Sequence, residues 1–377
     1  MSLSTFAFPT TIHFGAGARI EVGDHLRARK LARPLIVTDR GLAALPVLND
    51  FRNGLGHDLA VEVYHGVYGN PTGAQVMDGA RAYRDHGADC IIGFGGGAAL
   101  DVAKAIALMA VHPGDVMEYV WDHPQVRPIA AALPYWIALP TTSGTGSEVG
   151  RSSVISDEHS HVKRIIFSPA LLARAVFADP ELTLDLPAAL TAATGMDALT
   201  HNIESYLSPV YHPLCDGIAL EGLRIGARAL RRAVHQPHDL EARGDMMMAS
   251  MMGAIAFQKD LGAVHSCAHA LGTVANMHHG LANALMIDTV MAFNHQVAEH
   301  KFAAMAQVVG IGHGGNLIDW LRALKADIGI PAGLAAAGVQ SGQIEALVDI
   351  AVKDGCHATN PRPCGAADFR RLFELAM

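Results

Sequence analysis

The chain has 377 residues, half of them apolar and only 17% charged, and carries a net charge of −8. That length exceeds one ordinary hydrophobic core and predicts two domains, while the composition excludes a disordered chain. The negative balance and the lack of any Lys/Arg cluster exclude a general nucleic-acid binder, so no nucleic-acid partner is expected.

The N-terminal MSLSTFAFPTTIHFG has no basic segment leading into a long apolar run, so no secretory signal is read there. The longest apolar runs, such as IAAALPYWIALP (129–140), are short and broken by proline. A membrane span needs about 20 uninterrupted apolar residues, so no membrane partner is expected. Cysteines 90, 215, 267, 356 and 364 are scattered, odd in number and form no CxxC pair. That usage fits reduced thiols and predicts a cytoplasmic location.

Along the first half, short β-rich runs alternate with helical ones. RPLIVTD (33–39), LAVEVYHG (59–66), ADCIIGFGGG (88–97) and PYWIALPTTSG (134–144) read as strands. AQVMDGARAYRDHG (74–87) and ALDVAKAIALMAV (99–111) between them have helical periodicity. Such alternation implies βαβ units and a mostly parallel sheet.

Within this half, IIGFGGGAALDVAKAIAL (91–108) runs from a strand through consecutive glycines into a helix. Glycines let a ligand approach the backbone, and a helix N-terminus offers unpaired N–H groups, so a pyrophosphate would suit the turn. It is not the GxGxxG fingerprint. Asp101 lies early in that helix, where its charge opposes a phosphate; a functional role would have it face ribose or nicotinamide. Asp39 ends a predicted strand, where α/β sheets bind ligands; a carboxylate there accepts from ribose hydroxyls and repels a 2′-phosphate, favouring NAD over NADP. Arg40 beside it weakens that preference, and a solvated strand-end turn is an equal reading. LPTTSGTGSE (139–148) lines a nucleotide cleft or forms a polar surface loop.

From about residue 185 strand signals stop. DLPAALTAATGMDALTHNIESYLS (185–208) is predicted to be helical, with Asp185 as its cap and Pro187 in the first turn. The Met-rich GDMMMASMMGAIAFQ (244–258) follows, its methionines read as core filler. The resulting division is an α/β dinucleotide-binding domain over 1–183 and an all-helical metal-binding, catalytic domain over 184–377.

Asp197 and His201, four residues apart, share one helix face in a mostly apolar segment. VHSCAHALGTVANMHHG (264–280) adds His265, His269, His278 and His279, four histidines in 17 residues against 21 in the whole chain. Imidazoles together with a carboxylate suit a divalent transition metal, and a position left open would polarise a substrate oxygen. Satisfied core histidines and a helix-capping Asp are the competing reading of each residue alone.

These motifs together resemble the iron-containing (group III) alcohol dehydrogenase family over essentially the full length. The resemblance rests on FGGGAALDVAK (94–104), LPTTSGTGSE (139–148), LTAATGMDALTHNIESYLSP (190–209) and AVHSCAHALG with MHHGLANA (263–284), with DGCHATNPRP (354–363) at the C-terminal end. It implies metal ligands at Asp197, His201, His265 and His279, with Fe2+ expected and Zn2+ suited to the same donors. It implies an active-site histidine at His269 near the nicotinamide, and NAD contacts at Asp39, Asn70, Gly96, Gly97, Thr141, Thr142, Thr145 and Lys163. A homodimer or larger homo-oligomer is expected on the same ground. Two positions depart from the family pattern: Ala98 stands where a Ser usually follows the glycines, and Gly150 where a Thr commonly precedes Arg151.

The activity implied is reversible hydride transfer between NAD and a small primary alcohol. The run FQKDLGAVHSCAHALG (257–272) is similar to 4-hydroxybutyrate dehydrogenases; a substrate carboxylate needs a cation, for which Arg151 and Lys259 are the candidates, although each reads first as a surface or structural charge. Lactaldehyde reductase-like and general short-chain alcohol enzymes are the alternatives. A dehydroquinate synthase-like lyase shares the two-domain plan and both cofactors. It demands a basic pocket, which the helical half lacks at its metal motifs.

Overall fold

The computed structural model describes residues 8, 10–129, 132–158, 162–311 and 316–377; the start of the N-terminal stretch, and Ala130 and Ala131 of the 129–140 run, lie outside them. The α/β half runs β1 (Thr11–Phe14), α1 (Val22–Ala28), β2 (Pro34–Asp39), α2 (Arg40–Ala43), α3 (Pro46–Gly54), β3 (Glu62–Val67), α4 (Gly73–His86), β4 (Cys90–Gly95) and α5 (Gly97–Met109). It continues through β5 (Tyr135–Pro140), β6 (Ser152–Ser156), β7 (Lys163–Phe167) and β8 (Ala175–Ala178). Six strands form one sheet in the order β1-β8-β5-β4-β2-β3, every neighbouring pair parallel, and β6 and β7 form an antiparallel hairpin. Every residue of β4 is buried, and every residue of β2 except Asp39. Helices cover both faces of such strands, which is why they read as unbroken apolar runs. Phe51 stacks on Phe94 at 4.9 Å in the core beneath them.

The chain leaves β2 outward to β3 and returns on the other side of β2 as β4. The loops after β2 and β4 therefore part in opposite directions, leaving the crevice where open α/β sheets take ligands. A Cβ on Gly95, at the end of β4, would lie 2.7 Å from the Ala99 Cβ and 3.6 Å from Asp39 Oδ2. With φ at +154° as well, the turn into α5 accepts only glycine at 95.

Beneath this turn lies a buried charged network. Lys104 donates to Ser147 Oγ (2.8 Å) and to the Ser152 carbonyl (2.7 Å), with Asp101 at 3.6 Å. Glu148 is only 2% exposed, and burial pushes its pKa up to about 7 although a backbone hydrogen bond and Lys104 act against it.

The helical half comprises α6 (Ala188–Leu207), α7 (Pro213–His235), α8 (Leu240–Ala256), α9 (Ala263–Ala275), α10 (His279–Asn294), α11 (Glu299–Val308), α12 (Leu317–Asp327), α13 (Ile344–Ala351) and α14 (Ala366–Ala376). Helix α6 is buried on nearly all sides. The predicted Asp185 cap is not made: Pro187 occupies the cap position, with no side-chain cap bond. Arg243, buried, instead donates to Thr191 Oγ1 (2.8 Å) and to the carbonyls of Leu184 and Leu186, fixing the entry to the helix. At the other end Lys301 donates to the carbonyls of Tyr206 (2.6 Å) and Ser208 (3.1 Å), where a cation meets the unpaired acceptors of a helix C-terminus. Met246, Met247 and Met251 of α8 are buried, as core filler should be.

The chain divides into two units. One holds Pro9–Thr142 and Ser147–Thr183, and the other holds Leu184–Met377 together with Ser143–Gly146. No described helix is long and apolar enough to cross a membrane.

Glu148 carries a pH signature. Its folded pKa lies above the ordinary carboxylate value, so its contribution is present below about pH 4.5 and is lost as pH rises through about 7. The loss is on the order of 3 kcal/mol. Thermal midpoints measured from pH 5 to 8 should fall for the wild type and fall less for Glu148→Gln.

Candidate functional site

In the helical unit, Asp197, His201 and Glu204 occupy positions i, i+4 and i+7 of α6 and form one polar stripe on a buried helix. Helices α9 and α10 face that stripe. His265 comes from α9, and His279 is the first residue of α10. Two glycines allow the close approach. A Cβ on Gly253 of α8 would lie 2.8 Å from the His201 Cβ, and one on Gly280 would lie 2.3 Å from the Ala193 carbonyl oxygen.

The ligand atoms of Asp197, His201, His265 and His279 all lie within 4.8 Å of one another. Asp197 Oδ1 is 3.9 Å from His201 Nε2, 4.0 Å from His265 Nε2 and 3.6 Å from His279 Nε2. Tetrahedral bonds of about 2.1 Å would place ligand atoms about 3.4 Å apart, so a small contraction closes the cage on a divalent ion. Burial pushes the His201 pKa down to about 4 despite Asp197, leaving the neutral imidazole that metals bind. Asn283, fully buried, donates its amide to Asp197 Oδ1 at 2.6 Å, with its nitrogen 3.3 Å from Nε2 of both His265 and His279. A partial positive charge thus already sits against the acceptors that a cation would take.

Glu204 holds the cage from behind. His265 Nδ1 lies 2.6 Å from its Oε2, and its carboxylate accepts the N–H groups of Gly262 (3.1 Å) and Val264 (2.7 Å). Asn360, from the C-terminal NPRP, accepts the Ala263 N–H at 3.2 Å. Helix α9 lacks a capping side chain of its own, and these two distant residues supply one. A lone Glu in such a sequence suggests a surface acid; its i+7 spacing from Asp197 is the signal that marks it as part of the stripe.

His269, one turn beyond His265, stacks on His279 at 5.4 Å between ring centroids. The side chains of Asp197, His201 and His265 are 3%, 5% and 1% exposed, against 22% for His279 and 18% for His269. Solvent therefore reaches the cage from the His269 side. His278 is exposed at the cap position of α10 and stands outside the ligand group. Lys259, a candidate cation for a substrate carboxylate, is fully buried and paired with Asp216, in line with its reading as a structural charge. Arg151, the other candidate, lies 5.5 Å over the Phe167 ring.

In the α/β unit, Gly96 and Gly97 open α5 with no side-chain cap, leaving its first N–H groups to a ligand. Thr142 packs where a Gly96 Cβ would come, at 3.2 Å, and Thr141 continues the sheet by donating its N–H to the Gly95 carbonyl at 3.0 Å. Asp39 Oδ1 accepts the Leu42 N–H at 2.8 Å, with Oδ2 turned to the glycine turn. Arg40 stacks over Tyr68 at 4.0 Å. Asn70 lies exposed in the turn after β3, and Lys163 begins β7. Asp101 differs from expectation. Oδ1 accepts from Ser147 Oγ (2.6 Å) and Oδ2 from the Val154 N–H (3.0 Å), so both oxygens anchor the following loop and β6 to α5. Thr145 groups with the helical unit.

A parallel sheet with a glycine turn at its switch point, and a helical unit with a three-histidine, one-carboxylate cage, define a class of metal- and nucleotide-dependent enzymes. The pattern described as iron-containing alcohol dehydrogenase matches residues 9–180, and the C-terminal pattern of the Fe-containing alcohol dehydrogenase family matches 191–377. The chain is 38% identical to the 4-hydroxybutyrate dehydrogenase of Cupriavidus necator over 98% of both chains. It superposes on a crystal structure of 1,3-propanediol oxidoreductase with a TM-score of 0.94, at 34% identity and full coverage of both chains. The sulfoacetaldehyde reductase of Bifidobacterium kashiwanohense, solved with NAD+, gives 0.92 at 28% identity, covering 100% of this chain and 99% of that one. The chain belongs to the iron-containing alcohol dehydrogenase family and is an alcohol dehydrogenase-type oxidoreductase.

Removing the Glu204 charge should loosen the cage without unfolding it. Glu204→Gln is expected to weaken metal affinity about 10- to 100-fold in chelator competition, with NADH binding unchanged.

Proposed function

We propose that this protein is an NAD-linked, metal-dependent dehydrogenase interconverting a small primary alcohol and its aldehyde. The observation that carries the reading is the convergence of Asp197, His201, His265 and His279, with His269 on the side open to solvent. When bound there, a divalent ion, Fe2+ in the first place and Zn2+ as the alternative, supplies Lewis acidity to the substrate oxygen, and NAD supplies the hydride acceptor. Three neutral imidazoles and one carboxylate leave a net +1 with a divalent ion, which favours an oxygen that gives up its proton.

The chain's own residues do the rest. His269 takes the hydroxyl proton in alcohol oxidation and returns it in aldehyde reduction. The amides of Gly96 and Gly97 at the start of α5 hold the pyrophosphate, so the Ser replaced by Ala98 is dispensable. Thr141, Thr142, Thr145, Asn70 and Lys163 orient the rest of the cofactor. Asp39 Oδ2 accepts from adenosine ribose and disfavours a 2′-phosphate, while Arg40 is held on Tyr68. We assign Asp101 to support of the loop. The dinucleotide domain is placed at 1–183 and the catalytic domain at 184–377. We place the protein in the cytoplasm as a homo-oligomer; the five cysteines, none in a disulfide, support the first point and the family the second.

For the substrate we propose 4-hydroxybutyrate and succinate semialdehyde, on the similarity to the Cupriavidus necator enzyme. Neutral short-chain alcohols and diols are the competing class, favoured by the engagement of Lys259 with Asp216.

The test is metal analysis of anaerobically purified protein followed by an NAD-linked alcohol panel. Steady NADH formation with one bound divalent ion is expected, and its absence with every alcohol would sink the reading. Equal turnover of 4-hydroxybutyrate and butanol would remove the carboxylate from recognition. Asp197→Ala and His201→Ala should each lose the metal and turnover while binding NADH as before. His269→Ala should keep the metal and lose rate; an unchanged rate and pH profile would end its proton-transfer role.

A further inference from the structure

Eighty-five residues after His269, the C-terminal segment returns a carboxylate to it. Asp354 Oδ2 lies 2.7 Å from His269 Nδ1, whereas Nε2 makes no hydrogen bond among the described residues. The other oxygen, Oδ1, accepts from Ser266 Oγ (2.8 Å) and from the Cys356 N–H (2.9 Å). Ser266 Oγ in turn accepts the His357 N–H at 3.0 Å. The carboxylate is therefore fixed in rotation, with one oxygen engaged by the backbone turn and one reserved for the imidazole. Burial alone would raise the Asp354 pKa; His269, the Cys356 N–H and the Ser266 hydroxyl together hold it below the ordinary carboxylate range.

We infer that Asp354 is a positioning residue that locks His269 in the tautomer with its proton on Nδ1, leaving Nε2 as the acceptor for a substrate proton. The inference rests on the role of His269 proposed above. A carboxylate on one ring nitrogen sets both the tautomer and the orientation of the ring. Ser266 and His269 lie on the same face of α9 at three-residue spacing, directly after the ligand His265, so one rigid helix sets both the cage and the base.

The competing role for Asp354 is structural, as cap of the turn Gly355–Thr359. Asp354→Asn separates the two. Asn caps as well as Asp, but it has a single carbonyl oxygen. With that oxygen kept by Ser266 and the Cys356 N–H, its NH2 faces Nδ1 and drives the His269 proton to Nε2. Spectra of metal-free protein with 15N-labelled histidine should show His269 protonated on Nδ1 in the wild type and on Nε2 in Asp354→Asn. This readout needs no turnover and stands even if no alcohol is a substrate.

In the metal-loaded enzyme, Asp354→Asn and Asp354→Ala should lower kcat about 100-fold with KM, metal content and NADH binding unchanged. Asp354→Glu should recover part of the loss. In a His269→Ala background the Asp354→Ala change should cost no more than about twofold further, because two residues acting as one unit are not additive. Additive losses, loss of metal, an unchanged kcat or an unchanged tautomer in Asp354→Asn would each overturn the inference. An inactive wild type that nonetheless shows the tautomer switch would fault the functional reading and leave the His269–Asp354 pair intact.

Discussion

The carboxylate of Glu204 is the group on which the helical half depends. It is buried on α6, accepts the N–H groups at the start of α9 and holds the ring of His265. An ionised group removed from water is tolerable only when its oxygens are occupied, and here several donors converge on two atoms. One charge thus caps a helix, orients a ligand and fixes the distance between two helices. The stripe of Asp197, His201 and Glu204 meets its partners for the same reason: an ionisable group on a buried helix is costly unless a neighbouring element supplies a donor or acceptor.

The α/β half solves a comparable problem with neutral backbone. Its glycine turn leaves helix N–H groups unpaired at the switch point of the sheet, and the buried Lys104 and Asp101 hold the following loop and β6 against α5 from below. Lys104 and Asp101 are engaged with the loop and β6, so at the start of α5 an arriving anion would meet backbone amides, with Asp39 to one side of the turn.

Much of this was legible in residues alone. β2, β4 and β5 are buried on both faces and read as apolar runs with strand character, and Asp197 and His201 declare themselves by helical spacing. The short β1 and β8 and the hairpin β6–β7 are four- or five-residue pieces whose pattern has meaning only beside their sheet partners. Glu204 is hard to single out in the sequence, because an acid in a helix is usually solvated. Its i+7 spacing places it on the stripe, but the donors it meets come from the start of α9, which lies about sixty residues away. Lys259 follows the structural-charge reading, and only the fold supplies its partner, Asp216. Asp354 and Asn360 act across tens of residues, and only the fold brings them to α9.

Gly280 supplies no donor atom, yet it belongs to the cage in an operational sense. Its missing side chain lets the first turn of α10 rest on the Ala193 carbonyl, with Asp197 alongside. Any larger residue would lift α10 and carry His279 away with it. The coordination sphere is therefore written partly in an absence: a hydrogen atom at position 280 sets the reach of an imidazole at 279.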